Sequence, residues 1–255
     1  MAPRPQIWRL PEPQRLALWQ VEGYDPSPEQ LAAHLDPHRL KLVAGGERAG
    51  KSRFSAEELL TWVMVAERGS LFWIVGPDYD LARPEAEHLL RSLGRLGLLD
   101  ADAVSQPRQG SWRITTLHGV EISTRTSADP ATLAGRAPHG VLMVEAAQQT
   151  YEAMLRLRGR VAETRGPLLL SGTFEGSLGW YAETWTAWQG DNVDGGRSFS
   201  LPTWSNRALF PGGRNDPEIK ALEATYPADT FQERFGALPC PPATLVFKEF
   251  AHTKH

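Results

Sequence analysis

Residues 40–52 read LKLVAGGERAGKS, a short apolar run that meets glycines and closes on a lysine and a serine. Positions 45–52, GGERAGKS, match the pattern G-x-x-x-x-G-K-[ST] in full. Chemistry explains each fixed position. Gly45 and Gly50 let the backbone turn N–H groups inward around a phosphate and leave no Cβ in its way. Lys51 brings a point charge to the β- and γ-phosphates, and the Ser52 hydroxyl is short enough to ligate Mg²⁺ while opening a helix whose N-terminal dipole favours an anion. Glu47, Arg48 and Ala49 complete the loop behind Gly46. From average residue usage, a chance match in a chain of this size is on the order of one in a hundred. The context sharpens it: a buried strand precedes the loop, and SRFSAEELLTWVMVAERG (52–69) predicts an amphipathic helix after it. The loop 45–52 is therefore expected to bind ATP with Mg²⁺.

Outward from the loop, apolar runs alternate with helical patterns. LFWIVGP (71–77), GVLMVEA (140–146) and PLLLSGT (167–173) predict buried strands, and RSFSLPTW (197–204) is a candidate for a further one. EQLAAHL (29–35), ARPEAEHLLRSLGRL (82–96) and QTYEAMLRLRGRVAE (149–163) predict helices, and WRITTLHGVEISTRT (112–126) a hairpin turning at His118–Gly119. Such alternation implies an α/β fold, a mainly parallel β-sheet flanked by helices on both faces. After about residue 205 the pattern changes to two short helices, DPEIKALEATYP (216–227) and DTFQERFG (229–236). The expected division is a core over 1–205 and a small C-terminal helical lid subdomain over 206–255.

Composition narrows the class. The chain has 255 residues, 41% hydrophobic and 22% charged, enough to bury a core without disulfides or metals. No apolar run approaches the length of a membrane span. The opening residues, MAPRPQIWRLPEPQRLALWQ, lack the charged-then-apolar pattern of a secretory signal. One cysteine, Cys240, can form neither an internal disulfide nor a zinc cluster, which points to a reducing cytosol. With 27 Lys and Arg against 30 Asp and Glu there is no global basic field for nucleic acid, so a DNA contact would be local or shared among subunits. The run Arg156, Arg158, Arg160 and Arg165 is either such a contact or a solvated helix end. His118, His139, His252 and His255 show no metal-ligand spacing.

Hydrolysis of ATP needs a second strand ending in acids, one to hold Mg²⁺ and one to polarise the attacking water. GVLMVEAAQQ (140–149) has that shape but ends Val144–Glu145. If Glu145 activates water, the metal-holding acid is missing; if it holds the metal, the activator's place falls on Ala146. The first alternative is preferred, with Ser52, phosphates and waters around Mg²⁺, since magnesium accepts few protein ligands.

In this order the motifs resemble the ATPase domain of large terminase subunits, the DNA-packaging motors of tailed bacteriophages. GYDPSPEQ (23–30) is similar to the family's adenine-side motif, IVGPDYDLA (74–82) to its second-strand stretch and LAGRAPHGVLMVEAA (133–147) to the segment from the arginine finger to the acidic strand. LLLSGTF (168–174) resembles its coupling motif and FQERFG (231–236) the short helix closing its lid. The resemblance spans about residues 20–250 and implies a P-loop NTPase fold of the ASCE type. It also implies roles: Gln30 beside the adenine, Glu145 and Lys51 in catalysis, and Ser171, Gly172 and Thr173 in coupling. Ala134 stands where the family carries its finger arginine, leaving Arg136 as the nearest trans finger. Gln30 also reads as a plain helix-start residue, Arg136 as a surface arginine and Thr173 as a strand-end hydroxyl. The implied partners are double-stranded viral DNA, the portal and procapsid, the small terminase subunit and further copies in a ring, in the host cytoplasm. The family continues into a nuclease domain, and LVFKEFAHTKH (245–255) falls about where a linker toward it would start. Two other functions fit the same core: a helicase-like, DNA-stimulated ATPase, and an ATP-gated assembly module with little turnover.

Overall fold

A computed structural model describes residues 8–240 of the chain; the end of the expected lid subdomain, with the start of a linker at 245–255 and with His252 and His255, lies outside them. Among the described residues the core is built from α1 (Glu12–Glu22), α2 (Pro28–Leu35), β1 (Leu40–Gly45), α3 (Lys51–Val63), β2 (Leu71–Gly76) and α4 (Arg83–Arg95). There follow β3 (Leu99–Ser105), β4 (Arg113–Thr116), β5 (Glu121–Thr126), β6 (Gly140–Val144), α5 (Tyr151–Thr164), β7 (Leu168–Gly172), α6 (Trp180–Ala187) and β8 (Gly196–Leu201), and then α7 (Pro217–Thr225) and α8 (Ala228–Arg234). One eight-stranded sheet has the order β3-β4-β5-β2-β6-β7-β1-β8. The strands from β5 to β8 are parallel, and β3 and β4 add an antiparallel edge.

Runs such as Leu40–Gly45, Leu71–Gly76 and Gly140–Val144 are buried at every position, because helices cover both faces of the sheet. Alternate residues of these strands feed opposite layers. Val43, Ile74 and Leu142 pack with Phe54, Leu60 and Leu89 of α3 and α4. Leu42, Val75 and Met143 pack with Met154, Leu157 and Trp188 on the other side. A third, small cluster joins Ile219, Phe231 and Phe235 with Trp204 and Tyr226 near the C-terminal end of the described chain.

The predicted helix over 52–69 is too long. Helix α3 stops at Val63, and residues 64–69 turn back toward β2, with Gly69 at φ 84° and its N–H bonded to the Gly119 carbonyl. Val65 and Ala66 kept helical spacing in sequence, but the connection to Leu71 governs their backbone. The hairpin turns at Gly119 (φ 75°), as expected. Strand β3, polar at alternate positions, and α6 were not anticipated. Among the described residues no helix is long and apolar enough to cross a membrane.

Candidate active site

Parallel strands all end on the same side, and the loop 46–50 leaves β1 on that side and enters α3. Gly50, at φ 88°, makes the sharp entry that glycine alone adopts cheaply. Arg48, not a glycine, also takes a left-handed backbone, at φ 62°. Gly45 also makes room for a neighbouring side chain. A Cβ there would lie 2.3 Å from Lys51 Cγ, so the glycine clears room for the lysine stem. Lys51 and Ser52 open α3, where first-turn N–H groups have no intrahelical acceptor and are free to meet an anion.

Lys51 Nζ donates to the carbonyls of Gly45 (3.3 Å) and Gly46 (3.2 Å) and to Thr173 Oγ1 (2.8 Å). Thr173 Oγ1 in turn donates to the Gly45 carbonyl at 2.9 Å. The hydroxyl that follows β7 therefore touches the phosphate-loop lysine directly. Burial lowers the Lys51 pKa, and the charges of Glu145, Glu85 and Glu47 oppose that. Ser171 is buried in β7 beside Val43 and Val144, and a Cβ on Gly172 would come within 3.0 Å of the Ala146 N, so β7 and the turn after β6 meet closely.

Glu145 leaves β6 with φ 46° and ψ 46°, a left-handed backbone that is costly for glutamate. Its charge acts on Lys51, on Glu85 and on the buried Tyr181 hydroxyl, whose pKa is raised first by burial and then by Glu145. Val144, the residue before Glu145, is buried in the core.

Gln30 reaches the loop from α2. Its Oε1 accepts from the Ser27 N–H at 3.0 Å, while Ser27 Oγ accepts from the Gln30 N–H, a capping box; its Nε2 donates to the Ala49 carbonyl at 3.4 Å. Gln30 is thus a helix cap that also touches the loop.

The far C-terminal residues clasp the loop from its other side. Glu47 N–H donates to the Arg234 carbonyl (2.8 Å), Thr203 Oγ1 to the Glu47 carbonyl (2.6 Å) and Asn206 Nδ2 to the Arg48 carbonyl (2.7 Å). Arg234 pairs with the Glu47 carboxylate at 2.8 Å. Gly46 permits this approach, since a Cβ there would sit 2.5 Å from the Phe235 carbonyl.

Arg136 is not brought to this site. It precedes β6 and pairs with Glu121 at 3.1 Å, where β5 begins, at the opposite end of the parallel strands from Glu145. Arg156 and Arg158 are paired with Glu152 and Asp194.

Sequence reasoning missed Glu85, in the first turn of α4. It is 4% exposed, the Ser52 hydroxyl is close enough to act on its carboxyl, and its Oε2 has no partner. Burial, reinforced by Glu145, raises its pKa to about 7 despite Ser52 and Lys51. No signal marked it, because a glutamate in a helix's first turn is ordinary. Among the described residues no group of three or more His, Cys, Asp or Glu is placed to hold a metal. Magnesium does not need one. The Ser52 hydroxyl and the orphaned Glu85 oxygen are hard oxygen donors at the phosphate loop, and that donor set fits Mg²⁺.

A parallel sheet whose first strand feeds a glycine loop, lysine and helix is the P-loop NTPase fold. Comparison with protein-family models and with curated proteins gives no match. Solved structures do match. The Thermus phage P74-26 large terminase ATPase domain is similar with TM-score 0.69 and 20% identity, over 90% of this chain and 98% of that one. The large terminase of a thermophilic bacteriophage, in complex with ADP, is similar with TM-score 0.65 and 16% identity, over 84% and 53%. The HK97 bacteriophage large terminase follows at TM-score 0.60 and 13% identity, over 93% and 52%. The chain thus has the fold of large terminase ATPase domains and spans about half the length of the last two proteins.

Proposed function

We propose that this chain is the ATP-hydrolysing motor domain of a large terminase subunit, moving double-stranded viral DNA into a procapsid. The observation that carries the reading is the convergence of Lys51, Thr173 and Glu145 where β1, β7 and β6 end. The likeness to terminase ATPase domains supports it, as does the ADP bound by one of those relatives. In this reading the first-turn N–H groups of α3 and Lys51 hold the phosphates, with Gln30 and the loop Gly45–Ser52 shaping the nucleotide's seat. Glu145 orients and polarises the attacking water, which lines up with the γ-phosphate. Mg²⁺, when bound, neutralises developing phosphate charge; Ser52 would hold it. Thr173, sharing Lys51 with the γ-phosphate, reports occupancy to β7, and the clasp on Glu47 and Arg48 carries the change to the C-terminal helices α7 and α8, read as part of the lid over 206–255. Arg136 lies too far from its own loop to serve it, so as a finger it acts on a neighbour's nucleotide in a ring. The portal, the small subunit and a host-cytoplasmic setting follow from this reading.

The test is binding. Lys51→Ala should abolish ATP affinity, measured by calorimetry, while thermal unfolding stays within a few degrees of the parent. Undiminished affinity would end the phosphate-loop assignment. A second reading, an ATP-gated assembly module, is favoured by Val144 standing where a second acid is expected. It predicts tight binding with negligible turnover, and DNA-stimulated turnover decides against it.

A further inference from the structure

The strand β6 offers one carboxylate, Glu145, and the position before it is the buried Val144. The structure brings a second carboxylate from another element. Glu85 is nine-tenths buried or more and leaves Oε2 without a partner, with the Ser52 hydroxyl, Lys51 and Glu145 near enough to act on its charge. An unpartnered buried polar atom is destabilising, so it needs a reason. Other buried acids show what a structural one looks like here. Glu22 and Glu57 also leave one oxygen unpartnered, but each is paired with an arginine, Arg95 and Arg53. Glu85 has no such arginine among the described ion pairs; what acts on it instead is the hydroxyl that opens the phosphate-loop helix. Gly76 ends β2 where a Cβ would lie 2.5 Å from the Asp78 carbonyl, and after that turn α4 packs on α3, with Ala82, Ala86 and Leu89 in one core cluster with Phe54 and Leu60.

We propose that Glu85 is the metal-side carboxylate of this site, holding Mg²⁺ together with Ser52 in place of the acid absent at Val144. This rests on the nucleotide-binding reading above and deepens it: α4, not the acidic strand, completes the donor set. Magnesium commonly takes one or two carboxylates, phosphates and waters, and Glu85 leaves Glu145 free for water.

The experiment measures the affinity of a fluorescent ATP analogue in excess EDTA and across a Mg²⁺ titration, for the full chain and for Glu85→Gln. In EDTA the two should bind alike. The Mg²⁺ concentration giving the half-maximal rise in affinity should increase at least about tenfold in the variant, the low end for groups supporting a bound metal. Glu85→Asp, which keeps the charge on a shorter arm, should shift it less, and serves alone if Glu85→Gln fails to fold. An unchanged Mg²⁺ titration in the folded variants overturns the assignment, as does a parent whose affinity Mg²⁺ does not alter. A parent that binds no nucleotide in either condition sinks the nucleotide reading itself, a distinguishable failure.

Discussion

Glu145 and Arg48 are two of the four non-glycine residues with left-handed backbone among those described, and both border the phosphate loop. Such conformations cost on the order of 1–3 kcal/mol each and persist where the surroundings enforce them. At Glu145 the enforcement is visible: the turn is pinned between β7, through Gly172, and the short helical turn Ala146–Gln148. Glu145→Gln keeps the shape and the backbone while removing the charge. Turnover should fall by about 10²-fold or more, the scale for a lost general base, with ATP affinity and unfolding temperature close to the parent's. Steady-state hydrolysis alongside equilibrium binding checks this, and unchanged turnover places the activating carboxylate elsewhere.

Three elements around the loop are joined by one buried polar network. His34 of α2 donates from Nδ1 to Glu58 of α3 at 2.6 Å, and Lys41 of β1 reaches the other Glu58 oxygen at 3.1 Å. Burial alone would raise the Glu58 pKa, but Lys41 and His34 bring it down to about 2. An ionised Glu58 only accepts, so His34 carries its proton on Nδ1 and Nε2 accepts from the Tyr24 hydroxyl at 3.0 Å. The neutral ring is fully satisfied, and burial lowers the His34 pKa, with Lys41 and Arg15 adding to that against Glu58. A depressed folded pKa contributes stability above the unfolded value of about 6.5 and loses it as pH falls. Glu57 and Glu85, both raised to about 7, change stability in the opposite direction over the same range, so total stability is the wrong readout. The difference in unfolding free energy between the parent and His34→Gln should instead narrow as pH falls from about 7 to 5. A constant gap in denaturant titrations would mean that folding does not shift the His34 pKa, and a gap that widens toward low pH would mean that His34 is charged in the folded state.

For the whole molecule, the sheet separates Glu145 from Arg136. One follows the C-terminal end of β6 and the other precedes its N-terminal end. If Arg136 acts, it acts in a ring, and hydrolysis should rise faster than linearly with protein concentration. Arg136→Ala should flatten that rise and leave ATP affinity nearly unchanged, because a finger stabilises transition-state charge and not the bound ground state. Mixing Arg136→Ala with Glu145→Gln should partly restore activity at interfaces that pair an intact Glu145 with an intact Arg136. No recovery, with turnover strictly proportional to concentration, would reduce Arg136 to the partner of Glu121 that it is within one chain.

Local chemistry made part of this molecule readable in the chain. The glycines, Lys51 and Ser52 of the loop follow one another, and their spacing alone carries the phosphate-binding geometry. The buried runs at Leu40–Gly45, Leu71–Gly76 and Gly140–Val144 announce a covered parallel sheet, because only strands buried on both faces read as unbroken apolar stretches. Other features depend on residues far apart in sequence. Helix α3 ends at Val63 because the route to β2 requires it, against apolar spacing that runs on through Val65. Strand β3 reads as polar because it lies at the antiparallel edge. Arg234, Thr203 and Asn206 meet the loop only after the chain has crossed the sheet to β8 and returned. Glu85 carries no signal of its own, since an acid in a helix's first turn is commonplace. Its meaning arises when α4 packs against α3 and buries that carboxyl beside Ser52, where lost solvation leaves one oxygen unsatisfied.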